Sequence, residues 1–181
     1  MFKYDWIWNK VTGANFANIS NRPFKTHEDV LVFSQTPKFT FNPIRTPRTK
    51  KSLKRHPDGL SGLIKKSVYA KHYGDYPLRD SVLANDGKKH PVDIITFSKM
   101  AEKRDCKNSH ATKKPVGLFE YLIRTYTNEG DLVFDGFGGS GTTAIAAHRA
   151  KRNFIVIEKD IEYYEKSKQR LEIEQAQQVL F

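Results

Sequence analysis

Residues 131–160 read DLVFDGFGGSGTTAIAAHRAKRNFIVIEKD. A short apolar run, Leu132 to Phe134, meets Asp135 and passes into a loop with four glycines, Gly136, Gly138, Gly139 and Gly141. Thr142, Thr143 and an alanine-rich stretch of helical pattern follow, then a second apolar run, Phe154 to Ile157, that meets Glu158. Strand, glycine loop, helix, strand and acid in this order make half of a nucleotide-binding α/β unit. The glycines admit left-handed backbone and let N–H groups approach a ligand closely. An acid at the end of the second strand is placed to accept hydrogen bonds from ribose hydroxyls.

Three ligands compete for such a loop. Gly136 to Gly141 matches GxGxxG, which admits a Rossmann NAD(P) site. The same glycines match the spacing of a P-loop, but Thr142 stands where the lysine must be, so the β- and γ-phosphates would lose their main cation. The third ligand, S-adenosylmethionine (AdoMet), is a cation without phosphates. Asp135 ahead of the glycines suits its ammonium group and would repel a pyrophosphate. A glycine-rich turn with no ligand is the bland alternative. Four glycines followed at nucleotide-site spacing by Glu158 argue against it.

The 181 residues suffice for one core, and mean hydropathy is −0.63 with 38% hydrophobic residues. No apolar run approaches the ~18–20 residues of a membrane span, so no membrane partner is expected. The opening MFKYDWIWNK lacks a small-residue cleavage site, and Cys106 is the single cysteine, so a cytoplasmic protein without an internal disulfide or thiolate metal cluster is expected. Cys106 and His110 alone make no metal site. Charge is uneven: residues 1–114 hold 23 Lys+Arg against 10 Asp+Glu, whereas residues 115–181 hold 8 against 10. A polyanion-binding part joined to a small-ligand part would show this asymmetry.

Along the chain, residues 3–9 read as a strand, 11–21 as a Gly/Asn/Ser loop and Val30 to Phe33 as a buried strand. His27-Glu28 is not followed by a second His four residues on, which excludes a zinc-protease helix. Residues 36–66 carry Pro37, Pro43, Pro47 and Pro57 among Arg45, Arg48, Lys50, Lys51, Lys54, Arg55, Lys65 and Lys66, with Phe39 and Phe41 at the start. This is an irregular basic module suited to phosphates. Short strands are expected at Ser81–Leu83 and Val92–Phe97, and a polar helix or loop at 99–108. From Pro115, the spacing of Leu118, Tyr121, Leu122 and Tyr126 predicts a helix that Gly130 ends. Ile161 to Gln178 predicts a charged helix with Tyr164, Leu171 and Ile173 inward.

These segments carry a family resemblance. DLVFDGFGGSGTTAIAA resembles the LDPFxGSGTT motif of the beta-class AdoMet-dependent DNA amino-methyltransferases. HATKKPVGLFEYLIRTYT is similar to their HxTQKPxxLxxxLI stretch, and FIVIEKD with YYEKSKQRL to their GIExD–YxxxAxxR ending. WIWNK and RPFKTHEDVLVFSQ resemble WxK and RPxxxHExILVF. The resemblance covers nearly the whole chain. It implies a partial Rossmann-like α/β methyltransferase fold over 1–181, with a basic target-recognition insertion at 36–108 and an AdoMet-binding part at 109–181. It further implies that Asp135 and Phe137, Gly138, Gly139, Ser140 and Gly141 surround the methionine part of AdoMet. Lys114 and Pro115 would close over the ligand, Thr142 and Thr143 would cap the helix, and Glu158 would bind the ribose. Gly136 stands where the family has Pro, which loosens the turn. The basic residues Arg45 through Lys66 would contact double-stranded DNA in a restriction-modification setting.

One family feature is missing. Methylation of an exocyclic amine, adenine N6 or cytosine N4 with adenine the nearer expectation, uses a [D/N/S]PP[Y/F/W] motif that holds a flipped base. The eight prolines include no adjacent pair. Met1 falls five residues ahead of Trp6, where the family keeps this motif upstream, so a truncated or split form is expected. Its sheet would then have unpaired edges, to be completed by an N-terminal polypeptide or by a homodimer. The alternatives are a DNA- and AdoMet-binding module without turnover, one half of a two-chain enzyme, or an NAD(P) protein.

Overall fold

A computed structural model describes residues 1–14, 20–57, 86–98 and 113–178. They divide into two compact units, Met1–Asn42 with Val92–Phe181, and Pro43–Pro91. In the first unit β1 (Phe2–Ala14) pairs antiparallel with β2 (Lys25–Phe33). In the second, β3 (Thr46–Pro47), α1 (Lys50–Arg55) and β4 (Lys88–Lys89) form a small ribbon and helix, β3 pairing antiparallel with β4. The first unit continues with β5 (Ile94–Thr96), α2 (Val116–Tyr126), β6 (Leu132–Asp135), α3 (Thr142–Arg149), β7 (Asn153–Val156) and α4 (Ile161–Gln178).

The strands of the first unit form two separate sheets, ordered β2-β1-β5 and β6-β7. β5 joins β1 in parallel at Ile7 to Asn9, and β6 joins β7 in parallel from Leu132↔Asn153 to Asp135↔Val156. Strand alternation decides which side chains go inward. On β1 these are Tyr4, Trp6, Trp8 and Lys10, and on β2 Val32, Val30 and Glu28, which oppose Tyr4, Trp6 and Trp8 in turn. On β6 and β7 they are Val133, Asp135, Phe154 and Val156.

α2 serves both sheets. Val116 and Ile123 join the alanines of α3 (Ala146, Ala147 and the following Ala150) in one cluster, where Val133, Phe154 and Leu171 also pack. Leu118 joins Trp6, Trp8 and Ile95 in the other, and Phe119 touches both. The indole N–H groups are satisfied: Trp6 Nε1 donates to Tyr126 Oη, and Trp8 Nε1 donates to the Phe97 carbonyl at 2.9 Å. The alanines, at 0% exposure, let the helices approach closely.

Several expectations need correction. β1 runs on to Ala14, so residues 11–14 are strand rather than loop; Val11 holds φ 68° at an irregularity in the register, its N–H accepted by Asn9 Oδ1. α2 stops at Tyr126, before Gly130: the Thr127 N–H and hydroxyl both donate to the Ile123 carbonyl. Pro115 is the N-cap of α2, just outside its first turn. The basic module includes a regular helix, α1, capped by Thr49 Oγ1 accepting from Ser52 N–H. On α4, Tyr164 and Ile173 are exposed at 42% and 54%; the half-buried face is Tyr163, Ser167, Arg170, Leu171 and Glu174, with Leu171 alone of the three expected positions in the core. That face is mostly polar because α4 covers the glycine loop and α3 through hydrogen bonds and an Arg149–Glu174 pair at 2.6 Å. Ser81–Leu83, 99–108, Cys106, His110, Lys65 and Lys66 lie outside the described residues.

Replacing Trp8, 1% exposed, by alanine is expected to destabilise the fold by about 3–5 kcal/mol, whereas Tyr164→Ala changes it by about 0.5 kcal/mol or less. Urea unfolding measures both. Equal losses would show that the indole cluster does not hold the sheets to α2.

Candidate functional site

β6 ends on Asp135, and the chain turns through Gly136–Gly141 into α3. Packing dictates glycine at two of these positions. A Cβ at Gly138 would lie 2.4 Å from Val156 Cγ1, and Gly141, the N-cap of α3, has φ 73° with Ser167 Cβ 2.9 Å from where its own Cβ would be. At Gly136 a Cβ would meet only the Phe134 ring edge at 3.7 Å, so a larger residue fits.

The two acids organise the loop. Asp135 Oδ1 accepts the Phe137 N–H at 2.9 Å, and its Oδ2 accepts the Thr143 hydroxyl at 2.5 Å. Glu158, just past β7, accepts the Gly139 N–H at 2.7 Å through Oε2 and the Asp160 N–H at 3.0 Å through Oε1. The N–H donors of Asp160 and Gly139 hold the Glu158 carboxyl below its ordinary value of 4.5, against a smaller opposing effect of desolvation. Thr142 and Thr143 do not cap α3, which has no side-chain cap; buried at 5% exposure, they turn inward, and Thr142 Oγ1 donates to the Lys114 carbonyl at 3.2 Å. Arg170 closes the loop from α4, donating to the Ser140 carbonyl at 2.9 Å. Sequence reasoning passed over this arginine, although it is the last residue of the YxxxAxxR pattern.

Asp135, Phe137, Gly138, Gly139, Ser140, Thr142, Thr143, Glu158 and Lys114 line one cleft of about 660 Å³, whose remaining wall, apart from Lys113, is apolar, from Phe119, Leu122, Ile123, Val133 and Phe134. The structure thus gathers most of the expected cofactor residues at one opening. Pro115 and Gly141 stand behind it, as the N-caps of α2 and α3. Phe137 is 92% exposed at the loop tip. Apolar walls, two carboxylates and no lysine within the loop suit an adenosyl group carrying positive charge better than a pyrophosphate.

In the second unit the basic residues separate into two kinds. Arg45 forms a bidentate pair with Asp86 at 2.7 and 2.8 Å, and Arg48 donates to the Ser52 and His56 carbonyls at the end of α1. Both are half-buried, with their guanidinium groups engaged inside the module. Lys50, Lys51, Lys54 and Arg55 are exposed on α1, and so are Lys88 and Lys89 on β4, a pair that proline and aromatic content did not single out.

Residues 1–169 match the family profile described as DNA methylase, of the N6/N4 group. Type II methyltransferase M2.DpnII of Streptococcus pneumoniae is 40% identical over 105 residues, which are 58% of this chain and 38% of that protein. M1.MboII of Moraxella bovis is 33% identical over 172 residues, 90% of this chain and 60% of that one. Among solved structures, an M1.HpyAVI–SAM complex superposes with a TM-score of 0.56 at 26% identity, covering 94% of this chain and 62% of that chain. The cytosine-N4-specific PvuII DNA methyltransferase superposes at 0.59 with 20% identity, over 91% and 49%. The chain spans less than two thirds of the length of each of these proteins.

Because the folded carboxyl of Glu158 is held low, its ordering of the loop is fully present above pH 4.5 and is lost as pH falls through the lowered value. Amide exchange at Gly139 is expected to stay protected below pH 4.5 in the wild type and to lose that acid dependence in Glu158→Gln. An identical acid profile in the variant would remove Glu158 from this role.

Proposed function

The chain belongs to the N6/N4 DNA methylase family and has the α/β fold of AdoMet-dependent methyltransferases, and on that premise we propose that residues 1–181 form the cofactor-binding and DNA-holding part of a DNA amino-methyltransferase. The observation that carries this reading is the convergence of Asp135, Glu158 and the Gly136–Gly141 loop on one cleft with apolar walls. When bound, AdoMet supplies a methyl group activated on a sulfonium. The chain's own residues bind and orient. Asp135 and Thr143 set the shape of the loop, Glu158 holds Gly139 and presents carboxylate oxygens to ribose hydroxyls, and Phe119, Leu122 and Val133 exclude water.

The acceptor is an exocyclic amine, adenine N6 or cytosine N4, and the motif that holds the base is not among residues 1–181. Methyl transfer therefore needs polypeptide beyond these residues, joined to them or separate. The fold offers seats for it. β6 pairs only with β7 among the described residues, and the outward faces of the sheets expose Leu132, Phe134, Ile155 and Ile157 on one and Leu31, Phe33 and Ile94 on the other. Strands and helices that cover these faces would also remove an aggregation hazard. DNA is held by the exposed cations of the Pro43–Pro91 unit, Lys50, Lys51, Lys54 and Arg55, with Lys88 and Lys89.

Calorimetric titration with AdoMet tests the cofactor reading. Asp135→Ala is expected to abolish binding, and Glu158→Ala to weaken it about tenfold, the order of a hydrogen bond to a charged group. Unchanged affinity in both, or displacement of AdoMet by NAD(P), would refute it. For DNA, replacing Lys50, Lys51, Lys54 and Arg55 by alanine flattens the dependence of log K on log[salt], by about 0.9 for each phosphate that is no longer neutralised. Arg45→Ala instead lowers the melting temperature of the module with its pair to Asp86. If the quadruple variant keeps the wild-type slope, α1 is not the DNA footprint.

A further inference from the structure

Glu28 lies on β2, 86 positions before Lys114, as the acid of the stretch that resembles RPxxxHExILVF, and it has no assigned role there. The fold sets it between two lysines. Its Oε1 accepts from Lys10 Nζ at 3.3 Å and its Oε2 from Lys114 Nζ at 2.6 Å. The Lys10 side chain is only 4% exposed, while Glu28 and Lys114 are about a third exposed. An ammonium as buried as that of Lys10 requires an anion, so one of the two pairings of Glu28 is explained by folding alone. The second pairing, shorter and nearer solvent, is not.

Lys114 is fastened at both ends. Its ammonium sits 5.4 Å from the centroid of the Trp8 ring as well as on Glu28, and its carbonyl accepts from Thr142 at the start of α3. Through Thr142 and Ser140 the connection continues to Arg170 on α4. Lys114 also lines the cleft, beside the apolar wall that α2 provides. A lysine side chain with four rotatable bonds has no fixed place of its own, so its position depends on the anion that receives it.

We propose that Glu28 is a positioning residue of the cofactor cleft. By receiving Lys114 it holds the segment ahead of α2 against the glycine loop, and it ties the β1–β2 hairpin to that loop. A carboxylate that neutralises a buried lysine on one side thereby sets the wall of a binding site on the other. The inference rests on the reading of the cleft as an AdoMet site.

Variants separate the two roles of Glu28. Glu28→Gln strands the Lys10 charge, and both the melting temperature and AdoMet affinity fall. Lys10→Met/Glu28→Gln removes the stranded charge; it is expected to recover the melting temperature while AdoMet Kd stays about tenfold above wild type, the scale of one charge-assisted hydrogen bond. Adding Lys114→Met costs no further affinity, because both changes break the same ion pair. Should the double variant fail to fold, Lys114→Met alone leaves the Lys10–Glu28 pair in place and is expected to show the same loss of affinity at retained melting temperature. Affinity that recovers together with the melting temperature, or a loss that multiplies when Lys114→Met is added, overturns the proposal. Wild-type protein that binds no AdoMet overturns the cofactor reading itself, and this inference with it.

Discussion

Burial of α2 on both sides is the constraint on which the first unit depends. The helix is only eleven residues long, yet Val116 and Ile123 serve the β6-β7 side, Leu118 serves the tryptophan side, and Phe119 touches both. Among the described residues neither sheet is large enough to bury a core alone, since one has three strands and the other two. Each gains a hydrophobic floor from the same helix. The consequence for function is direct: Lys113 and Lys114, which lead into α2, are carried to the mouth of the glycine loop by packing that begins at Val116.

The cleft is held by carboxylates before any ligand is considered. Asp135 and Glu158 each direct oxygens to loop N–H or hydroxyl donors, so the loop has a fixed form. A loop of glycines is costly to order, and charge-assisted hydrogen bonds at both ends offset that cost. Arg170 from α4 and Thr142 from α3 complete the frame. In a DNA methylase this frame needs to be rigid, because displacement at a methyl group requires donor and acceptor to be aligned. Glu28 follows the same pattern, where one side chain answers a buried lysine and a cleft lysine together.

Much of this was legible in local pattern. The helices at 116–126 and 161–178, the strands around Val133 and Ile155 and the glycine loop between them follow from hydrophobic spacing and glycine placement. The continuation of β1 past Val11 was not, because Gly13 and Ala14 carry little strand propensity and the segment is held by the pairing of Ala14 with Lys25 on β2. The inward face of α4 was misread because it is polar: Arg170, Ser167 and Glu174 face loops and α3, where hydrogen bonds rather than apolar area determine burial. Likewise, nothing in the run of cations distinguishes Arg45 and Arg48 from Lys50. Only the fold brings Asp86 and the end of α1 to those two guanidinium groups.

The sequence by itself determined the kind of chemistry: an α/β unit, a glycine loop flanked by Asp135 and Glu158, a basic module, and the order of segments that marks the DNA methylase family. Those features reside in short spacings, which backbone geometry converts into structure locally. The tertiary structure decided which oxygen of each acid faces the loop, which cations point outward, and that Glu28 meets both Lys10 and Lys114. Such contacts join residues up to 86 positions apart, and they are fixed by the packing of α2 and the hairpin rather than by anything their neighbours in the chain express.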